Sequence, residues 1–313
     1  MSSTKDEIKT LDIKLSVPKD KLELHDGNKK VEKITIISLF RSCEKYLTYL
    51  FKAVATLENT YSVEFEYFFL ENDSTDDTRK MLEEWFDKED KEGSLLLYKL
   101  KQDYKKSSHG MNHSRTTTIG DLRNKLTNNI TPLDSDWCLM LDADIYFDPS
   151  VLAQLFATAP CKNNIGMVGA YAQQLFPASM MAKELPVSVD KNKMISVYHY
   201  YDTYSFVDTK SRVHYPNCAF TKCRLCENYP QGVNRVKVPE EEDVVEVNSC
   251  FGGFAIIETK ILNDKRIRWG TVGYEPKMDL SLCEHVLFCD RLRTITGKKV
   301  VIVQSADKVF RTG

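Results

Sequence analysis

Between residues 33 and 171 the sequence switches repeatedly from short, uninterrupted apolar runs to segments with helical spacing. That alternation constrains the fold more than any other feature. KITIISLF (33–40) is a β-branched run long enough for a buried strand. In the segment EKYLTYLFKAVATLEN that follows, Tyr46, Leu47, Leu50, Phe51, Val54 and Leu57 share one helical face. EFEYFFL (64–70) predicts a second strand. After it, Ser74 and Asp77 have the spacing of a capping box, and Met81, Leu82, Trp85 and Phe86 supply the stripe of the helix it would open. SLLLYKL (94–100), a helix around IGDLRNKLTNN, the strand DWCLMLD, a helix over 150–158 and the strand IGMVGAY (165–171) continue the pattern. Non-alternating strands separated by helices predict an α/β fold with a mostly parallel, Rossmann-like central sheet covered on both faces by helices.

The remainder is less regular. A loop-rich stretch (172–243), a strand pair around VVEVNSCFGGFAIIE (244–258), a helix near 279–293 and a terminal strand, KKVVIV, are expected. Residues 1–30 read as a polar extension ahead of a single domain over 31–313. With 42% hydrophobic and 28% charged residues the chain has the composition of a globular domain, not a disordered one. A net charge of −2 gives no bulk attraction to nucleic acid, and Lys105 and Lys106 read as solvated surface. The start, MSSTKDEIKTLDIKLSV, has no apolar core, and no window holds eighteen uninterrupted apolar residues. No signal peptide, no transmembrane segment and a cytoplasmic location are therefore the expectation. Nine cysteines, several of them in apolar segments (Cys138, Cys250, Cys289), suggest reduced, buried thiols. The sequons at Asn72, Asn112 and Asn129 are then incidental. Cys218, Cys223 and Cys226, with His214 just before them, hold only half of a zinc-site pattern and read rather as free thiols in a Pro-rich loop.

Ligands of parallel sheets sit beyond the carboxyl ends of the strands. Arg41, Glu71 to Asp73 and Asp142 to Asp144 all fall at such ends, so three segments converge on one crevice. On an extended segment Asp142 and Asp144 would point to the same side. Like charges that close repel unless a cation or hydrogen-bond donors lie between them, and a hard divalent ion with oxygen ligands is one solution. The bland alternative is a pair that solvates a strand end or caps the helix beginning near Pro149. The apolar run resumes at Ile145, Tyr146 and Phe147, which leaves the acids as a polar island and favours the cation. Mn²⁺ or Mg²⁺ bridging them to two phosphate oxygens suits a nucleoside-diphosphate substrate, with Arg115 and Arg123 adding positive charge.

The ordered set SLFRSCEKYL, FFLENDSTDDT, GDLRNKL, DWCLMLDADIYFDP, YYDTYSF, NSCFGGFAII and CEHVLFCDRL, over roughly 33–293, resembles the GT-A glycosyltransferases of the fungal capsule-associated α-1,3-mannosyltransferase family. It is similar, less closely, to the yeast mannan-polymerase mannosyltransferases. The resemblance implies a GT-A type fold, a divalent metal (Mn²⁺ or Mg²⁺) and transfer of a sugar from a GDP- or UDP-sugar to a hydroxyl of a glycan or other acceptor. Residues 31–171 would form the nucleotide-sugar-binding half and 172–313 the acceptor-binding half. Asp142 and Asp144 match the metal-binding pair, with Asp144 the direct ligand and Asp142 nearer the nucleotide. Arg41, Glu71 and Asp73 match positions that meet the nucleoside, and Arg123 with Asn124 match an Arg-Asn of the donor-side helix. Tyr201, Asp202 and Thr203 match a Tyr-Asp-Thr by the sugar or acceptor, and Gly252 with Gly253 an acceptor-facing turn. Glu284 matches a late carboxylate. Here the sequence departs from the family pattern, reading Cys283-Glu284-His285 and leaving His285 where many such enzymes have a third metal ligand. The fungal relatives are typically Golgi membrane proteins, a location this sequence does not support.

By resemblance the transfer retains anomeric configuration, the departing phosphate accepting the proton of the incoming hydroxyl. In the inverting alternative Glu284 or Asp279 is the general base. An aspartate-nucleophile phosphatase also uses Asp-x-Asp, but on its first strand, whereas three strands precede the pair here. A sugar-binding module without chemistry is the non-enzymatic rival, and the intact acidic pair argues against it.

Overall fold

The computed structural model describes residues 15, 17–101, 112–177, 194–215, 218–221, 238–277 and 279–312. A short hairpin, β1 (His25–Asp26) and β2 (Lys29–Lys30), leads into β3 (Lys33–Phe40). Its segment is packed, not merely polar: Leu24 and Val31 are buried, and buried Asp26 accepts from Trp137 Nε1 at 3.2 Å and from the Cys161 amide at 2.9 Å. Then come α1 (Glu44–Thr60), β4 (Glu64–Asn72), α2 (Thr78–Glu89), β5 (Gly93–Tyr98), α3 (His113–Ile130) and β6 (Trp137–Leu141). The short β7 (Ile145–Phe147) and α4 (Ser150–Phe156) lead to β8 (Ile165–Ala170). β9 (Ala172–Pro177) and β10 (Met194–Tyr200) occupy part of the stretch expected to be loop-rich. β11 (Val244–Val247), β12 (Phe254–Glu258), α5 (Thr259–Asn263), α6 (Glu284–Thr296), β13 (Lys299–Val303) and β14 (Val309–Thr312) complete the chain.

The central sheet has eight strands in the order β11-β13-β8-β12-β6-β3-β4-β5. Six run in one direction, and β11 and β12 are reversed, as their antiparallel pairings require. The strand pair expected at 244–258 is therefore no hairpin: β11 lies at the sheet edge while β12 inserts between β6 and β8. Its sequence FAIIE is buried throughout, which suits a central position. A second sheet, β10-β9-β14-β7, stands beside the first.

Helices cover both faces. Leu47 and Leu50 of α1, Leu82 and Trp85 of α2 and Leu155 of α4 pack with Ile34, Ile36, Leu139 and Leu141 on one side. Leu122 and Leu126 of α3, Ile261 of α5 and Phe288 of α6 pack with Ile37, Cys138 and Met140 on the other. Neighbouring strand residues thus serve opposite cores, which is why the strands read as unbroken apolar runs.

The loops after β3 and β4 are laced together, and this lacing replaces the expected capping box. Asp77 at the start of α2 makes no side-chain cap. Instead Ser74 Oγ accepts from the Ser42 amide (2.9 Å), Thr78 Oγ1 from Cys43 N (2.8 Å) and Asp76 Oδ2 from Glu44 N (3.2 Å). In return Glu44 Oε2 accepts from Asp77 N (3.1 Å). Each loop satisfies donors that the other's helix start leaves open. Thr78 is fully buried, so Thr78→Val leaves the Cys43 amide without an acceptor. That variant should lose about 1–3 kcal/mol in urea unfolding, and Thr78→Ser should recover most of it. An unchanged Thr78→Val midpoint would show that the lacing contributes nothing.

Candidate active site

The carboxyl ends of β3, β4 and β6 open into a cleft of about 800 Å³, with Arg41 just beyond β3, Asn72 at the end of β4 and Asp142 just beyond β6. Strand β6 stops at Leu141, so Asp142, Ala143 and Asp144 form the turn into β7. The extended-segment expectation is corrected on this point: the turn, not strand alternation, sets both acids into the cleft.

What holds the turn is the antiparallel β12. Phe254 pairs with Leu141, and the Asp142 amide donates to Gly253 O at 2.9 Å. Gly252 and Gly253 both have φ of +73°, a region that side chains other than glycine rarely adopt. A Cβ on Gly253 would lie 2.9 Å from Ile145 Cγ2 and 3.1 Å from the Tyr201 hydroxyl, and one on Gly252 2.7 Å from Ala170 O. Protein atoms fill the space the missing side chains leave. Buried Asp202 fixes the pair from the other side, accepting from the Gly252 amide at 2.9 Å and from the Ser205 hydroxyl. Burial raises the Asp202 carboxyl above its ordinary range.

Each aspartate has its own arginine. Arg123 of α3 lies 3.4 Å from Asp142 Oδ1 and, through Nε, 3.2 Å from Glu284 Oε1. Its guanidinium also sits 5.0 Å from the Phe251 ring centroid. Arg311 of β14 reaches Asp144 Oδ2 with Nη2 at 2.9 Å and Nε at 3.1 Å, 5.2 Å from the Tyr201 ring centroid. The Asp142 carboxyl is pushed up to about 6, first by burial and then by Asp144, with Arg123 and Arg311 pulling the other way. Added positive charge at the turn would relieve that. At Glu284 burial again pushes upward, but the carboxyl is held below its ordinary range, and the charged partner beside it is the Arg123 guanidinium. A buried, ion-paired carboxylate kept ionised is a weak general base.

Arg41, Arg115, Arg123, Asp142, Asp144, Asp202, Glu284 and His285 all line this cleft, together with Tyr201. Arg115 comes from the first turn of α3, which Asn112 caps by accepting from the Arg115 amide at 3.1 Å. Several expected residues are elsewhere. Glu71 accepts from the Ser74 amide at 2.9 Å within its own loop and Asp73 from the Leu100 amide at 3.0 Å, tying that loop to the segment after β5, and neither lines the cleft. Asp279 accepts from Asn112 Nδ2 at 2.7 Å and so secures the cap of α3, outside the cleft lining. Asn124 makes a two-way clasp with the Trp269 backbone, at 3.0 and 2.9 Å, and takes no part in the lining either.

Among the described residues no three His, Cys, Asp or Glu side chains converge on a point that could hold a metal ion. His285 lines the same cleft as the aspartates but forms no such group with them. Its ring is 1% exposed and stacks on Phe251 at 4.1 Å, and burial lowers it to about 3, so it is neutral. The donor set still fits a small divalent ion. Two carboxylates on an open turn can hold such an ion when phosphate oxygens and water complete its shell, which is how Mg²⁺ is usually bound. On the zinc pattern, His214 Nε2 lies 3.1 Å from Asp208 Oδ2, and Cys218 is buried. Cys223 and Cys226, like Lys105 and Lys106, fall outside the described residues.

Arg311 was missed by sequence reasoning. Its signal was a single cation in VFRT, a short β-branched and aromatic segment beyond the last expected strand.

No curated protein matches this sequence. Among solved structures, S. aureus TarS 1–349 in complex with UDP-GlcNAc is 14% identical, with a TM-score of 0.47, over 90% of this chain and 58% of that one. The chain thus spans less than two thirds of that relative's length. Glucosyl-3-phosphoglycerate synthase from Mycobacterium tuberculosis, in complex with Mg²⁺ and UDP, is 13% identical over 45% of this chain and 44% of that one (TM-score 0.30). The inositol-1-phosphate CTP transferase from T. maritima is 12% identical over 90% and 89% of the two chains (TM-score 0.40). Residues 33–290, from the first strand of the central sheet into α6, match the family model described as cryptococcal mannosyltransferase 1, and the chain belongs to that family.

Proposed function

We propose that this protein is a glycosyltransferase that moves a sugar, mannose-like in view of its family, from a GDP- or UDP-sugar to a hydroxyl of a glycan or other acceptor. One observation carries the reading: Asp142 and Asp144 sit at the carboxyl end of a parallel strand in a cleft that four arginines also line, Arg41, Arg115, Arg123 and Arg311. Paired carboxylates suit a Mn²⁺ or Mg²⁺ ion and guanidinium forks suit phosphate oxygens. When bound, the ion would supply charge neutralisation for the diphosphate as the sugar leaves.

The chain's own residues have separate tasks. Asp142 and Asp144 hold the cation, while Arg41 and Arg115 extend toward the phosphates from the start of α1 and the first turn of α3. Residues 31–171 form the donor half on this reading, and residues after 171 supply Tyr201 and Asp202 to the sugar or acceptor side. Glu284 acts as the buried counter-charge that keeps Arg123 aimed at Asp142. Retention is favoured over inversion, because Glu284 is tied up by Arg123 and Asp279 by Asn112, which leaves the departing phosphate to take the acceptor's proton.

Calorimetry with a panel of GDP- and UDP-sugars, with and without Mn²⁺, should register metal-dependent binding of at least one, and silence across the panel would defeat the proposal. Asp144→Ala should cut turnover about 100-fold or more, equivalent to roughly 2.7 kcal/mol of barrier. The same variant should shift unfolding by only about 1 kcal/mol, since its ion pair is part-exposed. Full activity in it would remove the metal role. NMR of the first product anomer decides the stereochemistry: a retained anomer is expected, and an inverted one would return Glu284 to the role of base.

A further inference from the structure

Arg311 lies beyond the 33–290 segment that the family model covers, yet it lines the cleft and reaches Asp144. Strand pairing puts it there. In the second sheet Arg311 is opposite Ile145, the residue next to Asp144, and on its other side opposite Gln174. The two arginines at the turn are not equivalent. Arg123 is buried and held by Glu284, Phe251 and Asp142 together. Arg311 has a side chain 37% exposed, forks onto Oδ2 of Asp144, and lies over the face of Tyr201. It holds a carboxylate oxygen of the acidic pair that a cation there would need, and a part-exposed ion pair is easier to exchange than the buried pairs of Arg123.

We infer that Arg311 is an exchangeable counter-ion: it neutralises Asp144 while the donor site is empty, then yields that carboxylate to the incoming metal and turns its guanidinium to the donor's diphosphate. The inference rests on the donor-site reading above and adds to it an order of binding. Metal alone competes with Arg311 and binds weakly. Metal arriving with a diphosphate does not, because the displaced guanidinium gains a new anionic partner. Arg311 is thus a positioning residue for Asp144 and a binding residue for the donor.

The test is calorimetric titration of the full chain with MnCl₂ alone, then with UDP and GDP in saturating Mn²⁺, for wild type, Arg311→Gln and Arg311→Lys. In Arg311→Gln, Mn²⁺ alone should bind roughly three- to tenfold more tightly, while the nucleoside diphosphate should bind more weakly by a similar factor. Arg311→Lys, which keeps the charge and loses the fork, should fall between. It also carries the test should the glutamine variant not fold. General damage to the cleft would weaken both ligands together, so the opposite signs are the diagnostic result. Unchanged or weaker Mn²⁺ binding in the variants, with wild type still binding the nucleotide, would overturn the inference and leave the donor-site reading standing. No binding of UDP or GDP by wild type in Mn²⁺ would overturn both.

Discussion

Two carboxylates one residue apart on a tight turn cannot neutralise each other, and the structure answers that problem with groups from distant parts of the chain. Asp142 meets Arg123 from the preceding helix, and Asp144 meets Arg311 from the last strand. The turn is fixed from below by β12, whose Gly253 carbonyl takes the Asp142 amide. Three long-range elements therefore have to be in place before the acids have their observed setting. Because β12 runs antiparallel to β6, its first residue, Phe254, and the Gly252-Gly253 turn just before it lie at the carboxyl end of β6, beside the acids.

Several acids look alike in sequence and end up with different partners. Glu71, Asp73 and Asp279 stand near strand or helix ends, as Asp142 and Asp144 do, but Glu71 takes an amide of its own loop, Asp73 the amide of Leu100 after β5, and Asp279 the side chain of Asn112 at the start of α3. Carboxylates near open donors are drawn to them, and such bonds compete with a place in a binding cleft. Asp142 and Asp144 have arginines as their side-chain partners, and that separates a charge-bearing site from loop architecture.

How far the sequence could be read follows the same division between local and long-range causes. Strands β3 to β6 and helices α1 to α3 were legible because their apolar periodicity is local and faces two cores. Arg41 and the aspartate pair could be placed in one cleft because strand ends of a parallel sheet share a side, Arg115 and Arg123 because they come just before the aspartate strand, and Asp202 and Glu284 only through the family resemblance. Strands β9, β10 and β14 were not legible as a sheet. AQQLFP and VFRT carry little periodic signal, and each acquires strand form through partners far off in sequence. The lacing of Ser42, Cys43 and Glu44 to the STDDT loop was hidden for the same reason, as its residues were read as capping their own helix when they cap another.

The balance of charge in the cleft bears on how a donor would enter it. Arg41, Arg115, Arg123 and Arg311 are matched in number by Asp142, Asp144, Asp202 and Glu284. A nucleoside diphosphate arriving alone would bring a polyanion into a neutral, partly desolvated space, where unpaired charge is costly. Arg123 cannot turn wholly to phosphate without leaving Glu284 and Asp142 uncompensated, since burial magnifies the penalty of breaking either pair. On the proposed reading a divalent ion taken up with the diphosphate would change that balance, because it would satisfy Asp142 and Asp144 and leave the part-exposed Arg311 available to the phosphates. On the same reading the charge balance of the cleft would act as a selector, disfavouring the nucleotide or the metal by itself and favouring the two together.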